Sequence, residues 1–303
     1  MDDSLRRIEA LKKEKSAVIL AHTYTRAEVQ DVADVVGDSF ELAVRAAGSS
    51  AEIIVLAGVR FMGETAAILC PGRKVLLPVA DAGCPLADMI TPDQLQRLRA
   101  AYPDAAVACY VNSSVEVKAL SDVCVTSSSA VRIVRNLPQK RVIFVPDRNL
   151  GSWVAEQAPE KEIILHSGFC PVHHQIKPED VRKAKELFPG AAVLMHPECT
   201  KETRAEADHI LSTGGMVALV KERRHHRYIV VTESGILHTL HRHDPAAEFI
   251  DLSNPAMYCQ NMKKITLDAI LRSLDEEETV VSVGTDIAEK ARHALTRMLE
   301  LNR

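Results

Sequence analysis

The chain repeats itself three times, and this feature limits its possible folds more than any other. Three short, nearly uncharged apolar runs end on a polar ring, at His22, Tyr110 and His196. The rings are separated by 88 and then 86 residues. At fixed distances after each ring, without gaps, an aspartate and then a hydroxyl recur: Asp34, Asp122 and Asp208, then Ser39, Ser127 and Thr213. A register kept at so many positions indicates three related units.

Each unit has the pattern of a small α/β domain. The first apolar runs are short and bounded, which suits strands buried on both faces. Further apolar runs follow in each unit: 53–57 and 75–77, then 142–145 and 163–165, then 228–231 and the weaker 249–250. We therefore predict an α/β fold of three pseudo-symmetric repeats, each a small parallel sheet with covering helices, around a central pseudo-threefold axis.

The same register predicts the domain limits. The three repeats are expected at residues 1–86, 87–172 and 173–259. The tail, 260–303, contains two amphipathic helical stretches, at 266–277 and 285–301, and an N-terminal helix is expected near 5–14. We expect the N-terminal helix and the tail to pack on the first repeat.

Composition excludes several classes of function. The formal net charge is −4 and aromatic residues make up 4%, which argues against a nucleic-acid partner. No apolar run approaches the ~20 residues that cross a membrane, and the acidic N-terminus lacks the apolar segment of a secretory signal. A cytoplasmic protein is expected. Its seven cysteines are then reduced, so metal binding or catalysis is favoured over disulfides.

Three cysteines recur with the repeat. Cys84, Cys170 and Cys259 lie 62, 60 and 63 residues after the three rings, each following the third apolar run of its unit. Free cysteines are often simply small buried hydrophobic residues. The threefold relation instead favours three thiolate ligands and an open metal site. A catalytic zinc and a [4Fe–4S] cluster with one iron free of protein ligands both fit, and spacing does not separate them.

The recurring hydroxyls, Ser39, Ser127 and Thr213, each open a predicted helix. Ordinary N-caps are the simplest explanation. Three helix N-termini directed at one axis would also form an anion site, for which phosphate is the best candidate. The rings His22, Tyr110 and His196 are expected at the carboxyl ends of the strands, where α/β proteins bind ligands.

Residues near the rings add polar groups suited to general acid–base work and to carboxylate recognition: Tyr24, Asn112, His173 and Glu198. The recurring aspartates are interpreted as structural.

The chain resembles the quinolinate synthase family in stretches spread from about residue 16 to 275. The stretches that carry this resemblance are 28–34, 57–62, 82–89, 110–112, 126–128, 146–151, 168–174, 196–199 and 261–266.

The resemblance implies a fold, a cofactor and a reaction. The fold would be three α/β domains around a [4Fe–4S] cluster held by Cys84, Cys170 and Cys259. The reaction condenses iminoaspartate with dihydroxyacetone phosphate to quinolinate, phosphate and water, in de novo NAD synthesis. A functional link with L-aspartate oxidase or aspartate dehydrogenase would supply iminoaspartate. The alternative is another non-redox [4Fe–4S] hydro-lyase acting on a phosphorylated or carboxylate substrate.

The resemblance also assigns roles to residues. Tyr24, His173, His196 and Glu198 are expected to be catalytic. The substrate-binding residues would be His22, Ser39, Tyr110, Asn112, Ser127, His196, Glu198 and Thr213. Some family members carry a regulatory Cys-x-x-Cys pair before the third ligand. Ser253 and Ala256 occupy those positions here, so that control is expected to be absent.

Overall fold

The structure is a computed structural model that describes residues 3–252 and 257–302. Ser253 and Ala256, which stand where some relatives carry a cysteine pair, lie outside the described residues. The described chain forms three four-stranded sheets, and every strand pair within them is parallel. Helices connect the strands. The predicted α/β class and its three repeats are confirmed.

The first repeat holds β1–β4 in the order β2-β1-β3-β4. Its strands are β1 (Ala17–His22), β2 (Val35–Gly37), β3 (Ile53–Ala57) and β4 (Lys74–Leu76). Its helices are α1 (Asp3–Glu14), α2 (Ala27–Val32), α3 (Ser39–Ala47) and α4 (Arg60–Leu69), followed by a 3-10 turn at Ala87–Met89.

The second repeat has the same topology, with sheet order β6-β5-β7-β8. Its strands are β5 (Ala106–Tyr110), β6 (Val123–Val125), β7 (Arg141–Val145) and β8 (Glu162–Leu165). Its helices are α5 (Pro92–Ala101), α6 (Val115–Ala119), α7 (Ala130–Asn136), α8 (Arg148–Gln157) and the short α9 (Pro171–His174).

The third repeat repeats this order as β10-β9-β11-β12. Its strands are β9 (Ala192–Met195), β10 (His209–Ile210), β11 (Arg227–Val231) and β12 (Glu248–Asp251). Its helices are α10 (Pro178–Leu187), α11 (Lys201–Arg204), α12 (Thr213–Lys221) and α13 (Ile236–His243). The tail forms α14 (Gln260–Lys263), α15 (Leu267–Glu276) and α16 (Thr285–Leu301).

The central strands are buried on both faces, as their uncharged runs predict. The sequence pattern did not predict β2, β6 and β10. These strands have only two or three residues each, too few to show a period of their own.

The recurring aspartates have one structural role in all three repeats. Asp34 accepts a hydrogen bond from the Ile19 backbone N–H at 2.8 Å, and Asp208 accepts one from Val193 at 2.8 Å. Asp122 accepts the equivalent bond from Val107 at 2.7 Å. Each carboxylate therefore ties the chain that enters the short second strand to the first strand of the same sheet.

The tail departs in part from its predicted position. α15 packs against α1 and β3 of the first repeat, but α16 lies mainly against α6 and β6 of the second. Its Ala291, Leu295 and Met298 belong to a buried apolar cluster that spans both repeats. The third repeat keeps separate clusters of its own. The internal repeat could not predict this, because the tail has no counterpart within it.

No helix in the described part of the chain is long and apolar enough to cross a membrane. The domain limits at 86 and 172 stay predictions.

Replacing Asp208 by Ala should lower the free energy of unfolding by about 1–3 kcal/mol, because the buried Val193 N–H loses its acceptor. Urea denaturation followed by circular dichroism measures the loss. Asp208→Asn is the control, since its side-chain oxygen still accepts, and it should lose less than half as much. Equal losses in the two variants would contradict the assigned role.

Candidate active site

One cavity lies at the carboxyl ends of the three sheets, and residues of all three repeats line it. Every residue that the sequence singled out is among them: His22, Tyr24, Ser39, Cys84, Tyr110, Asn112, Ser127, Cys170, His173, His196, Glu198, Thr213 and Cys259. Side chains far apart in sequence are thus brought together by the repeat, as expected for the edge at which parallel strands end.

A tight turn follows the first strand of each repeat. Thr25 N donates to His22 O at 2.9 Å, and Cys199 N donates to His196 O at 3.1 Å. In the second repeat the Ser113 hydroxyl donates to Tyr110 O at 2.9 Å. This turn places the residue two positions after each ring at the cavity: Tyr24, Asn112 and Glu198.

Glu198 is the central carboxylate of the cavity and is 3% exposed. Its Oε2 lies 2.8 Å from His173 Nδ1 and 3.8 Å from His196 Nδ1. Burial opposes the charge, but His173, His196 and a hydrogen bond from Tyr110 lower the pKa of Glu198 to about 2. The site therefore holds one buried carboxylate that is ionised at neutral pH.

The two ring histidines are neutral at neutral pH. Burial lowers the pKa of His22 and of His196 to about 3. The His173 ring and the Tyr110 hydroxyl hydrogen-bond the Glu198 carboxylate directly, whereas His196 Nδ1 lies 3.8 Å from it. His196 Nε2 lies 3.3 Å from the Ser127 hydroxyl, which links it to the hydroxyl set.

A hydroxyl chain joins the first repeat to the third. The Tyr24 hydroxyl lies 2.7 Å from Thr232 Oγ1 and 3.0 Å from Thr213 Oγ1. Thr232 Oγ1 in turn lies 2.8 Å from His173 Nε2. Burial raises the pKa of Tyr24 well above its usual value, so this phenol keeps its proton. Tyr24, Thr232, His173 and Glu198 thus form one continuous hydrogen-bonded path.

The helix caps differ from the prediction. α3 is capped by Asp38 and α12 by Ser212, so Ser39 and Thr213 are the first helical residues and do not serve as caps. Ser127 does not open a helix at all, because α7 begins at Ala130. Asp38 and Ser212 therefore cap α3 and α12 with their side chains, α7 has no side-chain cap, and the three predicted hydroxyls line the cavity.

Each of the three recurring cysteines lies near the start of a short helical turn. Cys170 and Cys259 are the N-caps of α9 and α14, and Cys84 lies three residues before the first residue of the 3-10 turn. Backbone N–H groups one turn ahead hydrogen-bond each sulfur. Burial nevertheless raises the pKa of all three thiols, that of Cys84 to about 12. A bound metal would have to displace these protons.

Two metal-binding arrangements can be compared. Among the described residues, the Cys170, His173 and Glu198 ligand atoms lie within 4.8 Å of one another, close enough for one ion. The three recurring cysteines do not form such a group. The three sulfurs are therefore not all within 4.8 Å of one another, whereas the sulfurs around one tetrahedral zinc at ~2.3 Å would be.

Comparison with known proteins identifies the family. A family profile described as "Quinolinate synthetase A protein" matches residues 6–300. The chain belongs to the quinolinate synthase family. It is 49% identical over 294 residues to a quinolinate synthase of Alkaliphilus metalliredigens, with 97% of each chain covered.

Two further relatives support the assignment. A quinolinate synthase of Caldicellulosiruptor saccharolyticus is 48% identical over 297 residues, with 98% of each chain covered. Quinolinate synthase 2 of Methanosarcina acetivorans is 48% identical over 304 residues, with 100% of this chain and 97% of the relative covered. The resemblance read from the sequence is confirmed, and the enzyme class with it.

Sequence reasoning missed three residues that organise this quinolinate synthase site. Thr232 and Glu233 directly follow β11, and Lys263 lies four residues after Cys259. Lys263 Nζ lies 2.8 Å from Glu233 Oε1 and also donates to Tyr24 O at 2.5 Å. For Thr232 and Glu233, their place just after a central strand was the available signal. Glu233 has an acidic equivalent in the second repeat, Asp147, and each accepts a hydrogen bond from the backbone N–H of the cysteine of its repeat at 3.0 Å.

Replacing Thr232 by Val should lower kcat/KM for quinolinate formation by about 10- to 100-fold, because two hydrogen bonds to Tyr24 and His173 are lost without a change of shape. Steady-state kinetics on anaerobically purified enzyme measures the loss. Thr232→Ser keeps the hydroxyl and should stay within about threefold of wild type. A Val variant with wild-type kinetics would refute the role of this path.

Proposed function

We propose that the cavity condenses iminoaspartate with dihydroxyacetone phosphate to give quinolinate, phosphate and water, as a step of NAD synthesis. One observation carries this proposal: three hydroxyls, three thiols and a set of acid–base groups, contributed by all three repeats, line a single cavity. Family membership supplies the reaction. It gives no support to the alternative of another [4Fe–4S] hydro-lyase.

The hydroxyls of Ser39, Ser127 and Thr213 hold the phosphate of the triose. They occupy equivalent positions in three repeats and line one cavity, so they can address three oxygens of one anion. Thr213 and Ser127 also contact Tyr24 and His196, at 3.0 Å and 3.3 Å between polar atoms. Binding the phosphate there places the triose carbons beside the acid–base groups.

Cys84, Cys170 and Cys259 hold a [4Fe–4S] cluster. The donor set fits this group, because the three sulfurs face one cavity, are too widely spaced for one ion and each accept backbone hydrogen bonds. Such N–H···S contacts favour thiolate over thiol. When bound, the cluster supplies a Lewis-acidic iron for a substrate oxygen.

Proton transfer falls to the path from Tyr24 to Glu198. The protonated Tyr24 phenol is a donor, and the ionised Glu198 carboxylate is an acceptor. His173 connects them through Thr232 at 2.8 Å and Glu198 at 2.8 Å. When Glu198 accepts a proton from a substrate carbon, Tyr24 can therefore donate a proton to a departing oxygen. Phosphate elimination and dehydration both need such a pair of proton transfers.

Asn112 recognises the amino-acid-derived substrate. Its side-chain oxygen is buried, lines the cavity and has no hydrogen-bond partner among the described residues. Buried polar atoms are nearly always satisfied, so a ligand donor is expected there. The imine or enamine N–H of iminoaspartate supplies one. Supply of that substrate by L-aspartate oxidase or aspartate dehydrogenase, and a cytoplasmic location, belong to the same proposal.

Anaerobically purified protein given both substrates should form quinolinate and phosphate in a 1:1 ratio. Cys84→Ala, Cys170→Ala and Cys259→Ala should each lose the brown cluster and the activity, since two thiolates do not retain it. Cys70→Ala, a buried cysteine outside the cavity, is the control and should keep both. Iron and sulfide analysis with product assay measures this. Zinc without visible absorbance, or no quinolinate, would overturn the proposal.

Ser127→Ala should lower kcat/KM for dihydroxyacetone phosphate by about 10- to 150-fold, the equivalent of one charge-assisted hydrogen bond. The double variant with Thr213→Ala should lose more, because both hydroxyls address one anion. Inorganic phosphate should compete with the triose in wild type and more weakly in the variants. Ser128→Ala, an exposed neighbour, is the control. Loss of iron in Ser127→Ala, or unchanged triose kinetics, would contradict the assignment.

A further inference from the structure

Each repeat buries one long polar side chain that the mechanism does not use. Gln30, Lys118 and Arg204 each lie eight residues after the ring of their repeat. They are 1%, 0% and 3% exposed. Burying such groups is unfavourable unless they are fully hydrogen-bonded, so their recurrence at one position needs a reason.

The three side chains reach equivalent acceptors in a neighbouring repeat. Gln30 Nε2 donates to Gly235 O at 2.9 Å, Lys118 Nζ to Phe61 O at 3.3 Å, and Arg204 Nη1 to Asn149 O at 3.1 Å. Each acceptor lies four residues after the second central strand of its repeat, where α4, α8 or α13 starts.

A second contact follows one helical turn further on. Thr239 Oγ1 donates to Gln30 Oε1 at 2.7 Å, and Lys118 Nζ donates to Thr65 Oγ1 at 3.0 Å. At the equivalent place in the second repeat, the Arg204 guanidinium lies over the Trp153 ring, 5.7 Å from its centre. The same two positions are thus contacted at all three interfaces. The second position is contacted through hydrogen bonds at two interfaces and through a cation–π contact at the third.

These contacts run in one direction around the cavity. The first repeat reaches into the third, the second into the first, and the third into the second. Among the described residues of the third repeat, none is a fully buried member of the apolar cluster that joins the other two, and only Cys259 packs against it. Hydrogen bonds therefore largely fix the position of the third repeat relative to its neighbours.

Arg204 makes the most extensive contacts of the three. Besides Asn149 O it donates to Pro197 O at 3.3 Å and to Cys199 O at 2.8 Å. Asn149 Nδ2 donates to Glu198 O at 2.9 Å, so all three carbonyls around the central carboxylate are held. Arg204 Nη2 also contacts Ser152 and Glu156 on α8, each at 3.0 Å.

We propose that Gln30, Lys118 and Arg204 are a cyclic set of positioning residues, each locking the ring-bearing segment of its own repeat to the next repeat, and that Arg204 thereby fixes the Glu198 carboxylate against His173. The catalytic half of this proposal rests on the proposed function. The structural half does not, because it concerns only contacts between repeats.

Amide hydrogen exchange tests the structural half without any assay of activity. Arg204→Met, which keeps length but removes the donors, should speed exchange at least about tenfold in 196–200 and 149–153. Lys118→Met should do the same in 61–65 and 111–119, and leave 196–200 unchanged. Glu156→Ala, which removes the carboxylate beside Arg204 Nη2, serves if Arg204→Met does not fold. Uniform changes, or none at the named segments, would overturn the proposal.

Kinetics tests the catalytic half. Arg204→Met should lower kcat about 10- to 100-fold, with KM for the triose phosphate within about threefold and iron content at the wild-type level. Arg204→Lys keeps one donor, as Lys118 does in its repeat, and should recover part of the loss. Arg182→Met, which removes only exposed contacts to Glu179 and Glu206, is the control.

The outcomes separate the two ideas. Wild-type enzyme that forms no quinolinate would refute the proposed function, while the exchange data would still decide the positioning set. Normal wild-type activity with an Arg204→Met variant that loses only thermal stability, at unchanged kcat, would refute the catalytic role of Arg204.

Discussion

All strands of a parallel sheet end at one edge, and here three such edges meet at a single cavity. This geometry determines at which repeat positions the three equivalent residues can differ in type. In the proposed function, the phosphate and a cluster held by three thiolates are both close to threefold symmetric, which fits hydroxyls and cysteines that recur unchanged in type. The proposed organic substrate has no such symmetry. The rings and the residues that follow them accordingly differ: Tyr24, Asn112 and Glu198 occupy one repeat position with three chemistries.

Burial and hydrogen bonding together give these groups their working states. The cavity keeps His22 and His196 neutral, the Tyr24 phenol protonated and the Glu198 carboxylate ionised. An ionised carboxylate in such a place is costly unless its hydrogen bonds are made, and His173 and Tyr110 make them. Because their surroundings hold the proton donor protonated and the proton acceptor ionised, both kinds of group can act in the same site.

Much of this could be predicted because the register has no gaps between each ring and its hydroxyl. That register was sufficient to bring Ser39, Ser127 and Thr213 into one set, and a looser spacing did the same for the cysteines. It failed where repeat positions carry unlike residues, as with Thr232 and the buried Lys118. Helix starts were also misplaced, since Asp38 caps α3 in place of Ser39. The register also could not predict which repeat α16 packs against, because the tail has no counterpart in the repeat.

The place of α16 has a consequence for how the chain is made. Its residues 285–301 are synthesised after all three repeats, yet they complete an apolar cluster formed by the first two repeats. Those two repeats therefore keep an uncovered apolar face until α16 has been synthesised. Folding of the first two repeats is in that sense delayed, and a chain cut short before α16 presents the surface on which chaperones and proteases act.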